Sequence, residues 1–361
     1  MTSKERVMTA LDFGQPDRVP LFDTYWPEWV SRWRTDLSLK PTTDPSEYYA
    51  VDIRIAAGDE TLAPSRAEVL AQTPDTTLRR DGWGRVISET KGAYFSRQLE
   101  DDLLDPSRFA DLPIDPPESE SRYAHLDPVM EQWKQRYCVF AKVGGPFIRT
   151  CFLRGEANYL MDLAADPHLA AELALWMARH LTSIGLEELR RWDLYDTGIW
   201  VYDDMASLQG PMFSPRTAEK VLAPAWAYMI KAFRAAGARK IIFHSDGNLG
   251  PVLDLLVDLG FDGINPVEPR AGLRASELRA RYGNRLALVG GICNSVILPA
   301  GDESALHRHV LDVLSAGKEG GLVLGSHSIG PDIAPAVYNE FIRFFYRHAD
   351  YPLQLPAEEA V

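Results

Sequence analysis

Six near-continuous apolar runs, each stopping on a polar residue and giving way to a helix-like stretch, constrain the fold of this chain more than any other feature. The runs are YCVFAKVGG, TGIWVYDD, KIIFHSD, GINPVE, LALVGGIC and GLVLGSH. Between them lie amphipathic stretches such as NYLMDLAADPHLAAELALWMARHLTSIGLEEL and SPRTAEKVLAPAWAYMIKAFRAAG. The second stretch opens on Ser214-Pro215, an N-cap followed by proline at the first helical position, and closes on Gly237. Apolar strands that alternate with helices imply a parallel sheet covered on both faces. Two earlier runs, RVPLFDTYW and Val51–Ala57, bring the units to eight and predict a (β/α)₈ TIM barrel spanning 1–361 as a single domain. An open doubly wound sheet is the alternative. It usually carries a glycine-rich nucleotide loop after its first strand, and FDTYWPEW has no glycine.

Two local features decorate this frame. Ser3–Phe13 reads as a short helix with Ser3 as N-cap and, with Arg6 three residues on, no capping box. Alternation around Asp81-Gly82, with a second glycine at 84, predicts an inserted β-hairpin near residues 77–100. The proline-rich DLPIDPPES is too short for a domain boundary.

Composition excludes several function classes. The net charge of −13, with no basic block, argues against nucleic acid and anionic membrane as partners. The amino terminus is charged from its fourth residue and lacks an apolar signal region, and no apolar run spans a bilayer. Three cysteines without a CxxC spacing suit a reducing, cytoplasmic setting.

In a (β/α)₈ barrel the residues just past each strand converge on one mouth, where chemistry sits. Here those positions are Asp23, Asp59, Lys142, Asp203 with Asp204, His244 with Asp246, Glu268, Cys293, and Ser326 with His327. A polar residue after a strand is ordinarily a turn former or a helix cap. Four successive strand ends carrying His/Asp, Glu, Cys and His are also the side chains that bind a divalent metal. The metal candidates are His244, Asp246, Cys293 and His327, with zinc favoured by ligand type. His244 and Asp246 can both face the mouth if Ser245 stays extended. Asp203, Glu268 and Lys142 are the catalytic candidates, and Asp23, Tyr25, Trp26, Asp59, Asp204 and Asn248 would serve the substrate. Gly247 and Asn248 would make the turn after HSD.

At these residues the chain resembles the uroporphyrinogen decarboxylase superfamily over nearly its whole length. The blocks that carry the resemblance are KERVMTALDFGQPDRVP, SPRTAEKVLAPAWAYMIKAF, HSDGN, GINPVEP, LALVGGIC and SHSIGPDIAP. The decarboxylase branch carries an arginine-rich signature on the first strand and its loop, whereas PLFDTYWPEWVSRW offers Asp23, Tyr25, Trp26 and Trp29 there. Such a mouth suits a polyanionic tetrapyrrole poorly. The resemblance is closer to the corrinoid-dependent zinc methyltransferases. Members acting on thiols hold zinc through His-x-Cys after the fifth strand and a second Cys after the eighth. Here the pair is His244-x-Asp246, and the last position falls within Ser326-His327. Thiolates soften zinc, whereas carboxylate and imidazole leave it a harder Lewis acid for oxygen. The expectation is a metal-dependent methyltransferase. It would cleave a methyl–oxygen bond of a small donor, such as a methoxylated aromatic, and pass the methyl group to a corrinoid on a partner protein. A homodimer is expected from the resemblance. Two other readings stand beside it: a metal-free lyase acting on another acid through Asp59 or Asp203, with His244 as a hydrogen-bond donor, and a small-molecule or corrinoid-protein binding module without catalysis.

Overall fold

The computed structural model describes residues 1–99 and 105–355. Eight parallel strands form one sheet: β1 (Leu21–Tyr25), β2 (Ile53–Ala56), β3 (Cys138–Gly144), β4 (Gly198–Tyr202), β5 (Lys240–His244), β6 (Gly263–Val267), β7 (Ala287–Gly291) and β8 (Leu322–Ile329). Their order is β1-β8-β7-β6-β5-β4-β3-β2, with helices between successive strands. This is the α/β TIM-barrel fold. The apolar runs become strands because both their faces are covered, and β6 and β7 are buried at every position.

By contacts the chain divides into two compact units, Met1–Arg54 with Arg136–Cys138 and Asp262–Val361, and Ile55–Gln135 with Val139–Phe261. In the first, β1 pairs with β8 so that Asp23 faces His327 in the register. Its core includes an aromatic cluster in which Trp29 stacks on Trp33 at 5.8 Å and on Tyr25 at 5.3 Å. In the second, β4 lies between β3 and β5, which places Tyr202 level with Gly144 on one side and His244 on the other.

Local structure departs from the sequence expectation at several points. The first helix, Ser3–Leu11, starts one residue earlier: Thr2 is the N-cap and forms a capping box with Glu5. The inserted hairpin is part of a four-stranded antiparallel meander, Glu68–Gln72, Thr76–Arg80, Val86–Thr90 and Arg97–Gln98. Residue 100 of the expected span lies outside the described residues. The strand Glu68–Gln72 is exposed throughout and holds residues equally suited to a helix, so no alternation betrays it. Ser214 caps its helix as expected, accepting from the Thr217 amide, and Gly237 ends it at φ 103°. Between them Ala218–Leu222 widen into a π-turn just before Pro224. Proline lacks the amide that would continue the regular ladder, and its ring crowds the carbonyl four residues back. No described helix is long and apolar enough to cross a membrane.

Candidate metal centre

The second unit gathers a histidine and two aspartates. Asp204, His244 and Asp246 each offer a ligand atom, and these atoms lie within 4.8 Å of one another. His244 Nε2 is 3.9 Å from Asp204 Oδ1 and 4.0 Å from Asp246 Oδ1. Strand alternation explains the grouping. Tyr202 and Asp204 point one way off β4 and its extension, and the Tyr202 hydroxyl donates to Asp204 Oδ2. His244 and Asp246 do the same at β5, while Ser245 between them turns inward. Its buried Oγ accepts from the Met205 amide and donates to the Asp246 carbonyl. The Asp246 amide donates to Asp204 Oδ1 at 3.0 Å, and the His244 ring stacks on Tyr202 at 4.6 Å. Gly247, at φ +87°, leaves no room for a Cβ, which would sit 2.5 Å from the Ala206 carbonyl oxygen. Asn248 then accepts from the Gly250 amide, making the expected turn.

Burial, then the charge of Asp246, raises the Asp204 carboxyl above its usual range. A divalent cation would relieve that repulsion, and one imidazole with two carboxylates fits zinc with a position left open for a substrate atom. The donor set therefore fits a catalytic metal, and Asp204, expected on the substrate side, stands in this group with His244 and Asp246. Cys293 and His327 belong to the first unit. The Cys293 amide donates to His309 Nε2 at 3.0 Å, and its sulfur stands 3.7 Å from Ser295 Oγ. His327 sits at φ +70°, strained for a residue with a side chain, and its Nδ1 contacts the Ser326 carbonyl. A second group, Glu303, His307 and Glu340, lies on two helices, where Arg343 pairs with Glu340 and His307 stacks on Phe344.

The remaining predicted residues divide sharply. Lys142 lies within β3, its ammonium 4.3 Å above the centre of the Tyr202 ring. Burial, then the neighbouring Arg149 charge, lowers its pKa. Beneath it Glu188 is fully buried and accepts from the Gly58 and Lys142 amides, and burial holds its carboxyl well above the usual range. Asp203 faces the opposite way from Asp204 and is fully buried. It accepts from the Phe147 and Ile148 amides and from Trp226 Nε1, so it anchors the start of the helix Pro146–Arg154 rather than facing substrate. Burial pushes its carboxyl up to about 7. Asp59 Oδ1 accepts from the Thr61 amide and hydroxyl. Glu268 follows β6 at the N-cap position of a short turn, Pro269–Ala271, where its backbone carbonyl, not its side chain, accepts from the Ala271 amide.

Asp23, Tyr25 and Trp26 are drawn into the first unit's packing. Asp23 is 2% exposed; its Oδ1 accepts from the Ser326 amide and hydroxyl and its Oδ2 from the Tyr338 hydroxyl. Tyr338 in turn shares a hydrogen bond with Tyr25, and Trp26 Nε1 donates to Ser328. Among residues the sequence reading missed, Tyr202, Glu60 and Arg149 stand near the trio's side of the second unit. Arg149 pairs with Glu60, whose other oxygen accepts from the Gly144 amide. Glu60 stands beside the nominated Asp59, a signal that could have raised it. Nothing local marks Arg149. The half-exposed Tyr94, on the inserted meander, has its hydroxyl raised by burial and then by the charges of Asp246 and Asp204.

A family model described as uroporphyrinogen decarboxylase (URO-D) matches residues 86–348, well over half of the chain. No curated protein matches. Among solved structures, a methyltransferase from Methanosarcina mazei superposes with a TM-score of 0.64 at 16% identity, covering 96% of this chain and 99% of that one. That likeness is one of fold. A B12-independent methionine synthase from Shewanella sp. W3-18-1 reaches a TM-score of only 0.42 at 9% identity, over 92% of this chain and 93% of that one, and carries no argument. The match over residues 86–348, together with the eight-stranded parallel fold, establishes that the chain belongs to the uroporphyrinogen decarboxylase (URO-D) family.

Proposed function

We propose that this protein is a metal-dependent methyltransferase that cleaves a methyl–oxygen bond of a small donor and passes the methyl group to a corrinoid carried by a partner protein. The observation that carries the reading is the convergence of Asp204, His244 and Asp246 within ligand distance of one another. These three would hold zinc, which when bound supplies Lewis acidity toward the donor's oxygen. Tyr202 orients two of them, stacking on His244 and donating to Asp204. Lys142 supplies the proton. Its ammonium, made more acidic by burial and by Arg149, stands over the same Tyr202 ring and can protonate the departing oxygen. The electron pair for the new bond to methyl would come from a reduced corrinoid on the partner, while the pair of the broken methyl–oxygen bond stays on the oxygen that Lys142 protonates. The Methanosarcina mazei methyltransferase shares this fold and supports the reaction class.

Metal content tests the reading. Protein purified without chelator is expected to carry near-stoichiometric zinc, lost in His244→Ala and in Asp204→Asn. The zinc-loaded form should demethylate a methoxylated donor in the presence of reduced corrinoid. A wild type that neither contains zinc nor takes it up would sink the metal-centred reading and leave the acid lyase in its place.

A further inference from the structure

The second unit holds a cavity of ≈ 330 Å³ between the inserted meander and Arg149 and Phe152 of the helix Pro146–Arg154. One wall is Phe152, and two guanidinium groups lie on that ring, Arg85 at 3.8 Å and Arg149 at 4.7 Å from its centroid. Two like charges held against one apolar ring call for an anion. Each already has one carboxylate. Arg85 meets Asp81 through Nε and Nη2 at 2.9 and 2.8 Å, and Arg149 meets Glu60 through Nη2. Those acids are also committed to the backbone: Asp81 Oδ1 accepts from the Trp83 and Arg85 amides, and Glu60 from the Gly144 amide.

What remains is donor capacity. Among the described residues, no hydrogen bond engages Nη1 of either arginine, and the buried Nε of Arg149 has no partner. Each arginine has five N–H groups in a rigid fork, so the pair can offer N–H bonds to both oxygens of one carboxylate. The local backbone accommodates the arrangement. A Cβ on Gly144 would lie 2.3 Å from Arg149 Nε, so only glycine lets that side chain cross the strand end. Asp59 and Glu89 line the same cavity, with Glu89 paired to Arg79. With Glu60 and Asp81 they face Arg79, Arg85 and Arg149 across a lining without surplus positive charge, which disfavours a polyanion.

Arg149 also approaches Tyr202, the neighbour of the trio. Its guanidinium is 5.7 Å from the Tyr202 ring centroid, and that ring stacks on His244 at 4.6 Å. The guanidinium is therefore no more than about 10 Å from the imidazole, and a ligand anchored on it would have to run alongside the Tyr202 ring to reach the trio.

We propose that this cavity is a carboxylate subsite and that the methyl donor is a methoxylated aromatic acid held by Arg85 and Arg149. The identity of the reacting group rests on the methyltransferase reading, whereas the anion site does not. Calorimetric titration of the full-length protein with 4-methoxybenzoate and with neutral methoxybenzene separates the two. Wild type is expected to bind the acid at least about tenfold more tightly than the neutral ether. Arg85→Gln and Arg149→Gln should each remove that preference and leave methoxybenzene binding unchanged. Circular dichroism reports whether each variant is folded. Arg85→Gln is the decisive one if Arg149→Gln, which strips Glu60 of its counter-ion, fails to fold. His244→Ala should retain acid binding even when it has lost metal, so the subsite can stand where the metal reading falls. Equal binding of acid and ether, no acid binding by wild type, or wild-type acid affinity in a folded Arg85→Gln would overturn the subsite.

Discussion

Replacing Asp23 with asparagine should make the protein's stability less sensitive to pH, and the structure sets the size of the effect. Asp23 is fully enclosed, and burial pushes its carboxyl from the usual 3.8 up to about 6. The Ser326 and Tyr338 hydrogen bonds and the nearby His327 oppose that rise without cancelling it. Below 3.8 the carboxyl is protonated in both folded and unfolded chains, and its full contribution to stability is present. As pH rises from 3.8 the unfolded chain ionises first, so wild-type stability falls until about 6, where the folded carboxyl also ionises. The displacement corresponds to about 3 kcal/mol lost across that window and none thereafter. Asparagine can keep the network. Its oxygen would accept from the Ser326 amide and hydroxyl, and its NH₂ would donate to the Tyr338 hydroxyl, which can turn its own proton to Tyr25 because either hydroxyl of that pair can donate. Asp23→Asn should therefore match wild type within about 1 kcal/mol at about pH 4 and exceed it by about 2–3 kcal/mol at about pH 8. Urea unfolding followed by tryptophan fluorescence measures both curves. A variant whose stability runs parallel to wild type across that range would refute the assignment of Asp23 as a buried structural carboxylate.

Two more outcomes follow from the same geometry. Cys293→Ala should leave zinc content unchanged, since its interactions are a backbone amide on His309 and a distant sulfur contact with Ser295; metal analysis showing loss would restore it to the ligand set. Gly145→Ala would place a Cβ 2.1 Å from Asp203 Cγ at an ordinary φ of −99°, so the cost is steric. Displacing that carboxylate from its amide donors should destabilise by about 2 kcal/mol or more. A thermal melt should show this, and Asp203→Ala in the same chain should recover part of the loss.

The repeating strand-then-helix rhythm and the eight units were legible in the sequence, whereas Asp23, Lys142, Ser326 and His327, expected just past their strands, lie within them. The rhythm and the units depend on hydrophobic periodicity and local turn chemistry, which neighbouring residues carry. The pair His244-x-Asp246 was legible for the same reason, because extended backbone puts alternate residues on one side. The choice between Asp203 and Asp204 was not. Both follow the same strand, and only the packing of the helix Pro146–Arg154 and Trp226 against one face makes Asp203 an anchor and leaves Asp204 beside His244. Tyr25 and Trp26 likewise read as pocket aromatics until Tyr338 and Ser328, some three hundred residues away, claim their polar atoms. Arg85 and Arg149 carry no local mark at all, and they become a pair only because both settle on Phe152. Periodicity within the chain determined which elements form. Contacts between distant segments, which no local pattern encodes, decided which of their polar residues are spent on packing and which remain for chemistry.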